Sequence, residues 1–320
     1  MGTRITSAFQ TNQSVNYLQG NLSTLSQIQK KIAAGQNISL PSDDPIGLVS
    51  VLHLSNTLRT DERYGNNIQD AIAEGNTADS VMSSMVDLVQ RAQELTTQAA
   101  NFTTNQDGRT SISLEIDQVI NQMVQLGNTD IGGRYIFGGA KTDSPPFART
   151  GDNVTYTGTP SNQAWQRNFE ISRGTELNIN TNGNDLIGNV QVTTAGPPLP
   201  VVFSAGSQGV LKTLVELKQD LQASGDPNQL TEIRKRLDEL TANMNTVSSK
   251  QAIVGAVSNR LQLSQGRIDE RKSILTQQYA SIQDVDLPSA YADLNSRQNT
   301  LEASLSVTAR VLQTNLLSYL

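Results

Sequence analysis

Apolar positions recur every three or four residues along most of the chain, and the repeat fails in one central stretch. Near the start, Val15, Leu18, Leu22, Leu25, Ile28 and Ile32 keep this spacing, with Gln, Asn, Ser and Lys between them. That is the pattern of an amphipathic helix, and Gly35 is placed to stop it. The other end repeats it: Leu294, Leu301, Leu305, Leu312, Leu316 and Tyr319 share one stripe, while Asn295, Arg297, Asn299, Glu302, Ser306, Arg310 and Thr314 form the opposite face. Neither helix is stable alone in water. The economical reading is that the two pair and that their apolar faces gain full burial only against neighbours.

Between them, Pro41 interrupts the chain, and Asp44 followed by Pro45 reads as an N-cap and first helical residue, with acidic groups at the positive end of a new helix. The spacing predicts a helix from Pro45 to about Gly65 with Leu48, Leu52 and Leu58 inward. Val81, Met85, Leu88, Ala92, Leu95, Ala99 and Phe102 then alternate by fours and threes. As helix, Ile68–Phe102 alone would span roughly 50 Å. After the polar break Asn105-Gln106-Asp107-Gly108 the repeat resumes at Ile112, Ile116, Val119, Met123 and Leu126. Composition changes at Gly127. Arg134–Phe137 lies between the glycine pairs Gly132-Gly133 and Gly138-Gly139 and reads as a short strand. Residues 154–157, 168–171, 177–179, 190–192 and 201–203 read as further strands, with Trp165 as the anchor of a small core. Helical spacing returns at Leu211, Leu214, Leu217 and Leu221, continues through Leu230, Ile233, Leu237, Leu240, Met244 and Val247, and runs on to Ile282. The expected fold is mainly α, an elongated rod in three parts. Residues 1–42 with 283–320 make a terminal coiled coil, 43–147 with 204–282 a bundle of long helices with a hairpin, and 148–203 an inserted small β domain without which the helices still fold.

Composition narrows the function by exclusion. A net charge of −6 and a pI near 4.9, with no basic patch, argue against nucleic acid. There is no cysteine, so disulfides and thiolate chemistry are excluded. No apolar run approaches the ~18 residues of a membrane span. Met1–Ser7 has neither the apolar core nor the cleavage site of a secretory leader, so export is expected to use another route. His53, the only histidine, has no ligand partners at metal-binding spacing. Asp43 and Asp44 read as capping groups, and the glycine pairs as turns lacking the Lys-Ser/Thr of a phosphate loop. No catalytic residue, cofactor or metal is expected. The residues expected to carry function are the terminal stripes, as a subunit interface: Leu18, Leu22, Leu25, Ile28, Ile32, Leu301, Leu305, Leu312, Leu316 and Tyr319.

Asp43-Asp44-Pro45-Ile46-Gly47, Gln90-Arg91-Ala92-Gln93-Glu94-Leu95 and Gln98-Ala99-Ala100-Asn101 resemble the N-terminal region of bacterial flagellins. Asp284-Val285-Asp286-Leu287, Gln298, Leu301-Glu302-Ala303 and the ending Leu316–Leu320 resemble their C-terminal region. The stretch Gly133–Asp143, closing on Pro145-Pro146-Phe147, looks like the hook–filament junction branch of that family and is missing from flagellins proper. The resemblance implies a structural, non-enzymatic protein of the extracellular flagellum, exported through the flagellar type III apparatus with the help of an export chaperone. It implies self-association in a ring or helical layer, with hook-associated protein 1 on the hook side and flagellin or the filament cap protein on the filament side. A filament-forming flagellin is the alternative; a secreted type III translocator fits less well, since it would need a spanning stretch.

Overall fold

The long apolar repeats become long helices. In the computed structural model, which describes residues 2–101, 104–159, 168–179, 181–193, 202–203, 208–223 and 227–317, these are α1 (Gly2–Ala34), α2 (Pro45–Ala99), α3 (Gln106–Gly127), a short α4 (Gly183–Leu186), α5 (Gly209–Gln222), α6 (Gln229–Gln283) and α7 (Leu287–Leu317). Trp165 and Phe102 lie outside the described residues. The chain divides into two compact units, 1–61 with 270–320 and 62–269.

The second unit holds the core. Val81, Met85, Ala92, Leu95 and Ala99 of α2, Ile112, Ile116, Val119 and Met123 of α3, all four leucines of α5, and Ile233, Leu240, Val247, Val254, Leu261 and Ile268 of α6 are buried in one cluster. Leu88, Leu126 and Met244 are half-buried at its edge. Asn105 caps α3, its side-chain oxygen accepting from the Gly108 N–H at 2.8 Å, which satisfies one of the free donors of the first turn.

The strands form antiparallel pairs: β1 (Asp130–Ile131) with β2 (Arg134–Tyr135), β3 (Phe147–Thr150) with β4 (Asn153–Tyr156), β5 (Asn168–Ser172) with β6 (Thr175–Asn178), and β7 (Val192–Thr193) with β8 (Val202–Phe203). Gly132 and Gly133, at φ +60° and +80°, make the β1–β2 turn in the left-handed region that glycine adopts without strain.

Two expectations change here. Gly65 does not end a helix: α2 runs on through Gly65 and Gly75 for 55 residues. Both glycines are buried, and a Cβ at Gly75 would fall 2.5 Å from Ile179 Cδ1. The glycines admit neighbours rather than break the helix. Nor is the β segment a core apart. Val154, Phe169, Ile171, Leu177, Ile179, Leu186, Ile187 and Val190 belong to the same buried cluster as the helices. The β5–β6 hairpin is fastened to α2, with the Tyr64 hydroxyl donating to Glu170 Oε1 at 3.2 Å and Asn67 Nδ2 to the Glu170 carbonyl at 3.0 Å.

Candidate assembly interface

The terminal helices lie in the first unit, where α1 packs along α7. The chain segments at their adjoining ends are stitched by backbone hydrogen bonds. The Asn37 N–H donates to the Gln283 carbonyl at 2.7 Å, and the Val285 N–H to the Gly35 carbonyl at 3.1 Å. Gly35 takes φ +67°, the conformation that closes α1. The buried Gln283 side chain adds a donor bond of 2.9 Å to the Ile38 carbonyl.

Ile38 in turn seats the start of α2. Asp44 is the N-cap that the sequence predicts: its Oδ1 accepts from the N–H groups of Ile46 and Gly47 at 3.1 and 2.9 Å. A Cβ on Gly47 would lie 2.4 Å from Asp44 Oδ2 and 2.6 Å from Ile38 Cδ1, so only glycine fits under this cap. Asp43 closes the preceding turn by accepting from Leu40 and Ser39; these N–H groups, Leu40 first, hold its carboxyl below the ordinary aspartate value. Asp61, only 2% exposed, takes both Nε and Nη2 of Arg271, tying α2 to α6 within this unit.

What the unit lacks is apolar burial. Among its described side chains the only buried apolar ones are Ile38 and Val51. Of the predicted interface residues, Leu18, Leu25, Ile28, Ile32 and Leu301 are half-buried between the two helices, and Leu22 and Leu305 are each 52% exposed. Leu312 and Leu316 fall on α7, but their side chains lie outside the described set, as does Tyr319 altogether. Phe9, Val15, Tyr17 and Val307 add to the uncovered surface. An open groove lined by Thr24, Gln27, Ile28, Lys31, Ala290 and Asp293 runs between the helices. Leu52, predicted inward, is 55% exposed, and Ile46 and Val49 are exposed beside it, so among the described residues this side of the first turns of α2 is left open to water. The sequence offered no sign of this row, since its three/four spacing is also that of a core. Such exposure exceeds the scattered single apolar residues of an ordinary monomer surface.

Among the described residues no group of histidine and carboxylate side chains could hold a metal, and no helix is long and apolar enough to cross a membrane. His53 is exposed on α2. The charged groups that are drawn inward tie elements together. Asp117 on α3 accepts from Arg149 at 2.5 Å and from Lys218 at 2.7 Å, and Lys218 also reaches Asp152 at 2.6 Å. Burial opposes ionisation of Asp117, yet the two cations outweigh it and hold its carboxyl below the usual range.

The segment after α3 is equally well knit. Asn128 brackets Phe147, accepting from its N–H and donating to its carbonyl, both at 2.8 Å. The Phe147 ring meets Tyr156 with centroids 5.1 Å apart, and the Tyr156 hydroxyl donates to the Phe137 carbonyl at 2.9 Å. Gly127 and Gly183 flank that ring so closely that a Cβ on either would fall 2.8 Å from it. The stretch 133–147, singled out in the sequence, is thus folded onto the core of the second unit.

Comparison with known proteins agrees with this architecture. Flagellar hook-associated protein 3 of Escherichia coli K12 is 25% identical over 279 residues, covering 86% of each chain. Flagellin of Bacillus subtilis 168 is 27% identical over 307 residues, covering 93% of each. The crystal structure of flagellar hook associated protein-3 from Legionella pneumophila shares the fold with a TM-score of 0.61 at 14% identity, covering 72% of this chain and 98% of that one. The bacterial flagellin N-terminal helical region matches residues 5–142 and the bacterial flagellin C-terminal helical region residues 237–320, so with α1–α3 in the one and most of α6 and all of α7 in the other, the chain belongs to the bacterial flagellin family.

Proposed function

We propose that this protein is the structural junction between flagellar hook and filament, and that it assembles with copies of itself through the α1/α7 pair. The observation that carries the reading is the unit of 112 residues (1–61 and 270–320) whose described side chains include two buried apolar ones, Ile38 and Val51. A unit so poor in core cannot hold its own apolar surface from water. Neighbours in a tube supply the missing burial, so that assembly and the final ordering of the terminal helices are coupled. Leu18, Leu22, Leu25, Ile28, Ile32, Leu301, Leu305, Leu312, Leu316 and Tyr319 are the proposed subunit contacts. In this scheme residues 1–42 with 283–320 are the assembling coiled coil, 43–147 with 204–282 the helical body, and 148–203 its β elaboration.

Two features favour the junction role over that of a filament subunit. One is the Gly133–Phe147 segment, whose glycine turns and bracketed Phe147 give it a defined place in the fold. The other is the relative from E. coli K12, named as a hook-associated protein, together with the fold shared with flagellar hook associated protein-3 of Legionella pneumophila. The proposed neighbours are hook-associated protein 1 toward the hook and flagellin or the filament cap protein toward the filament. Export is proposed to run through the flagellar type III channel with a chaperone. The test is deletion of the encoding gene followed by electron microscopy of the cell surface. Hooks without filaments, with flagellin shed into the medium, are expected. Filaments of normal length and number on the deletion strain refute the junction role, and loss of the filament protein itself identifies the chain as a flagellin.

A further inference from the structure

We infer that Asn182-Gly183 is a deamidation site gated by folding: the unfolded chain converts Asn182 to aspartate and isoaspartate, the native fold holds the reaction off, and the products cannot rebuild the loop that protected it. This is the one Asn-Gly pair in the sequence. Glycine after asparagine favours the chemistry because, with no Cβ, its backbone turns freely toward the preceding side chain. The Gly183 nitrogen gives its proton to solvent base and attacks Asn182 Cγ. The Cγ–Nδ2 bond breaks, Nδ2 leaves as ammonia, and a cyclic imide joins the two residues. Water then opens the imide. Attack at Cγ leaves aspartate; attack at the main-chain carbonyl leaves isoaspartate, whose main chain runs through the former side chain and is longer by one carbon. Nothing is oxidised or reduced, and water is the only co-reactant.

The fold needs both residues. A Cβ at Gly183 would fall 2.8 Å from the Phe147 ring and 3.0 Å from the Phe137 carbonyl oxygen. Asn182 uses both ends of its amide: Nδ2 donates to the Thr159 carbonyl at 2.7 Å, and Oδ1 accepts from the Asn184 N–H at 2.9 Å. Thr159, 5% exposed, is itself knotted to the glycine turn, its hydroxyl accepting from the Ala140 N–H at 2.9 Å and its N–H donating to the Gly138 carbonyl at 3.1 Å. The same contacts stop the reaction. The Gly183 N–H donates to the Phe137 carbonyl at 3.0 Å, so removing its proton breaks a buried hydrogen bond. At φ −68° and ψ 126° the Asn182 backbone turns that nitrogen away from Cγ, and an amide held at both ends does not rotate to meet it. Either product is a misfit in this place. Aspartate keeps the acceptor and loses the donor, which sets a carboxylate against the Thr159 carbonyl and leaves that buried oxygen unpaired. Isoaspartate lengthens the main chain just before Leu186 and Ile187, which are 2% and 0% exposed in the core. A chain that lingers unfolded thus loses the means to finish this part of the fold, and one that folds promptly keeps it. The inference stands whatever the folded protein assembles with.

The test holds the full-length protein in warm, mildly alkaline buffer, either native or unfolded in guanidinium chloride, and follows every asparagine by peptide mapping and mass spectrometry. In denaturant, conversion at Asn182 should outrun that at all other asparagines; in the native protein it should be at least about tenfold slower than in denaturant. Asn182→Gln, whose longer side chain closes a ring poorly, should remove the conversion at this position in denaturant, a readout that does not require the variant to fold. The aged, denatured chains are then refolded and exposed to protease. Aspartate and isoaspartate at 182 should be enriched several-fold in the digested fraction, and Asn182→Asp made directly should melt below wild type, whereas Asn76→Asp, at an exposed position of α2, should melt with it. Equal rates at Asn182 in native and unfolded protein overturn the gating. Deamidated chains that refold to wild-type protease resistance, or Asn182→Asp melting with wild type, overturn the claim that the products cannot rebuild the loop.

Discussion

Leu305→Asp separates assembly from folding. Leu305 is 52% exposed on α7, so about half of its side-chain area is withdrawn from water. Full burial of a leucine contributes about 1.5–3 kcal/mol, so the half already buried contributes on the order of 1 kcal/mol. A carboxylate at a half-exposed position keeps most of its hydration. The free protein should therefore lose no more than about 1–2 kcal/mol, and only in the first unit. Leu214 on α5 is 0% exposed. Leu214→Asp buries an unpaired charge besides leaving a cavity, and should cost upwards of about 5 kcal/mol, enough to unfold the second unit. In the assembled junction the balance at Leu305 changes. In the proposed assembly a neighbour covers it, so an uncompensated carboxylate there should cost several kcal/mol, a penalty that recurs in every copy. Circular dichroism melts of the purified proteins should leave the main transition of Leu305→Asp within a few degrees of wild type and abolish that of Leu214→Asp. Motility and electron microscopy should show Leu305→Asp exported but unable to join hook to filament. If Leu305→Asp unfolds the free protein as completely as Leu214→Asp, the α1/α7 stripe is a finished core, and assembly through it is wrong.

Glycines on the long helices should respond in opposite directions. Gly75→Ala should lower stability despite the better helix propensity of alanine, because its Cβ meets Ile179, and pairing it with Ile179→Ala should make the cost of the glycine substitution smaller; Gly255→Ala, with nothing within 4 Å, should gain about 0.5–1 kcal/mol, both read by denaturant melts. Replacing 148–203 by a short Gly/Ser linker should broaden or abolish the cooperative melt, since Phe169, Ile171, Ile187 and Val190 are removed from the helices' core; an unchanged melt would show the segment to be separable. Asp117 has its carboxyl held low in the folded state, so the stability it adds is present above the unfolded aspartate value and is lost as pH falls through the lower folded one. The difference in melting temperature between wild type and Asp117→Asn should thus be largest near neutral pH and shrink in acid; a difference independent of pH would rule out the ion pairs with Lys218 and Arg149 as its source.

The sequence by itself determined the helices, because a three/four apolar repeat can be satisfied in water only by a helix laid against something. It determined the Asp44 cap, where an acidic side chain before Pro45 leaves little else for the first-turn donors to bond. It placed the apolar stripes of α1 and α7 on helices, whose spacing is intact although none of the described residues completes their cover. The tertiary structure decided the rest. Gly65 and Gly75 have the composition of a helix stop, yet the packing of Ile179 and of the α6 side chains around α2 favours continuing the helix through them. Leu52 and Val81 sit in similar repeats, but one is 55% exposed and the other buried, since exposure depends on whether another helix lies opposite. The strands of 148–190 are too short to show which face turns inward, so only the folded chain reveals that Val154, Phe169 and Ile187 join the helices' core. A one-dimensional pattern records which residues avoid water; which neighbour covers them is a property of the third dimension.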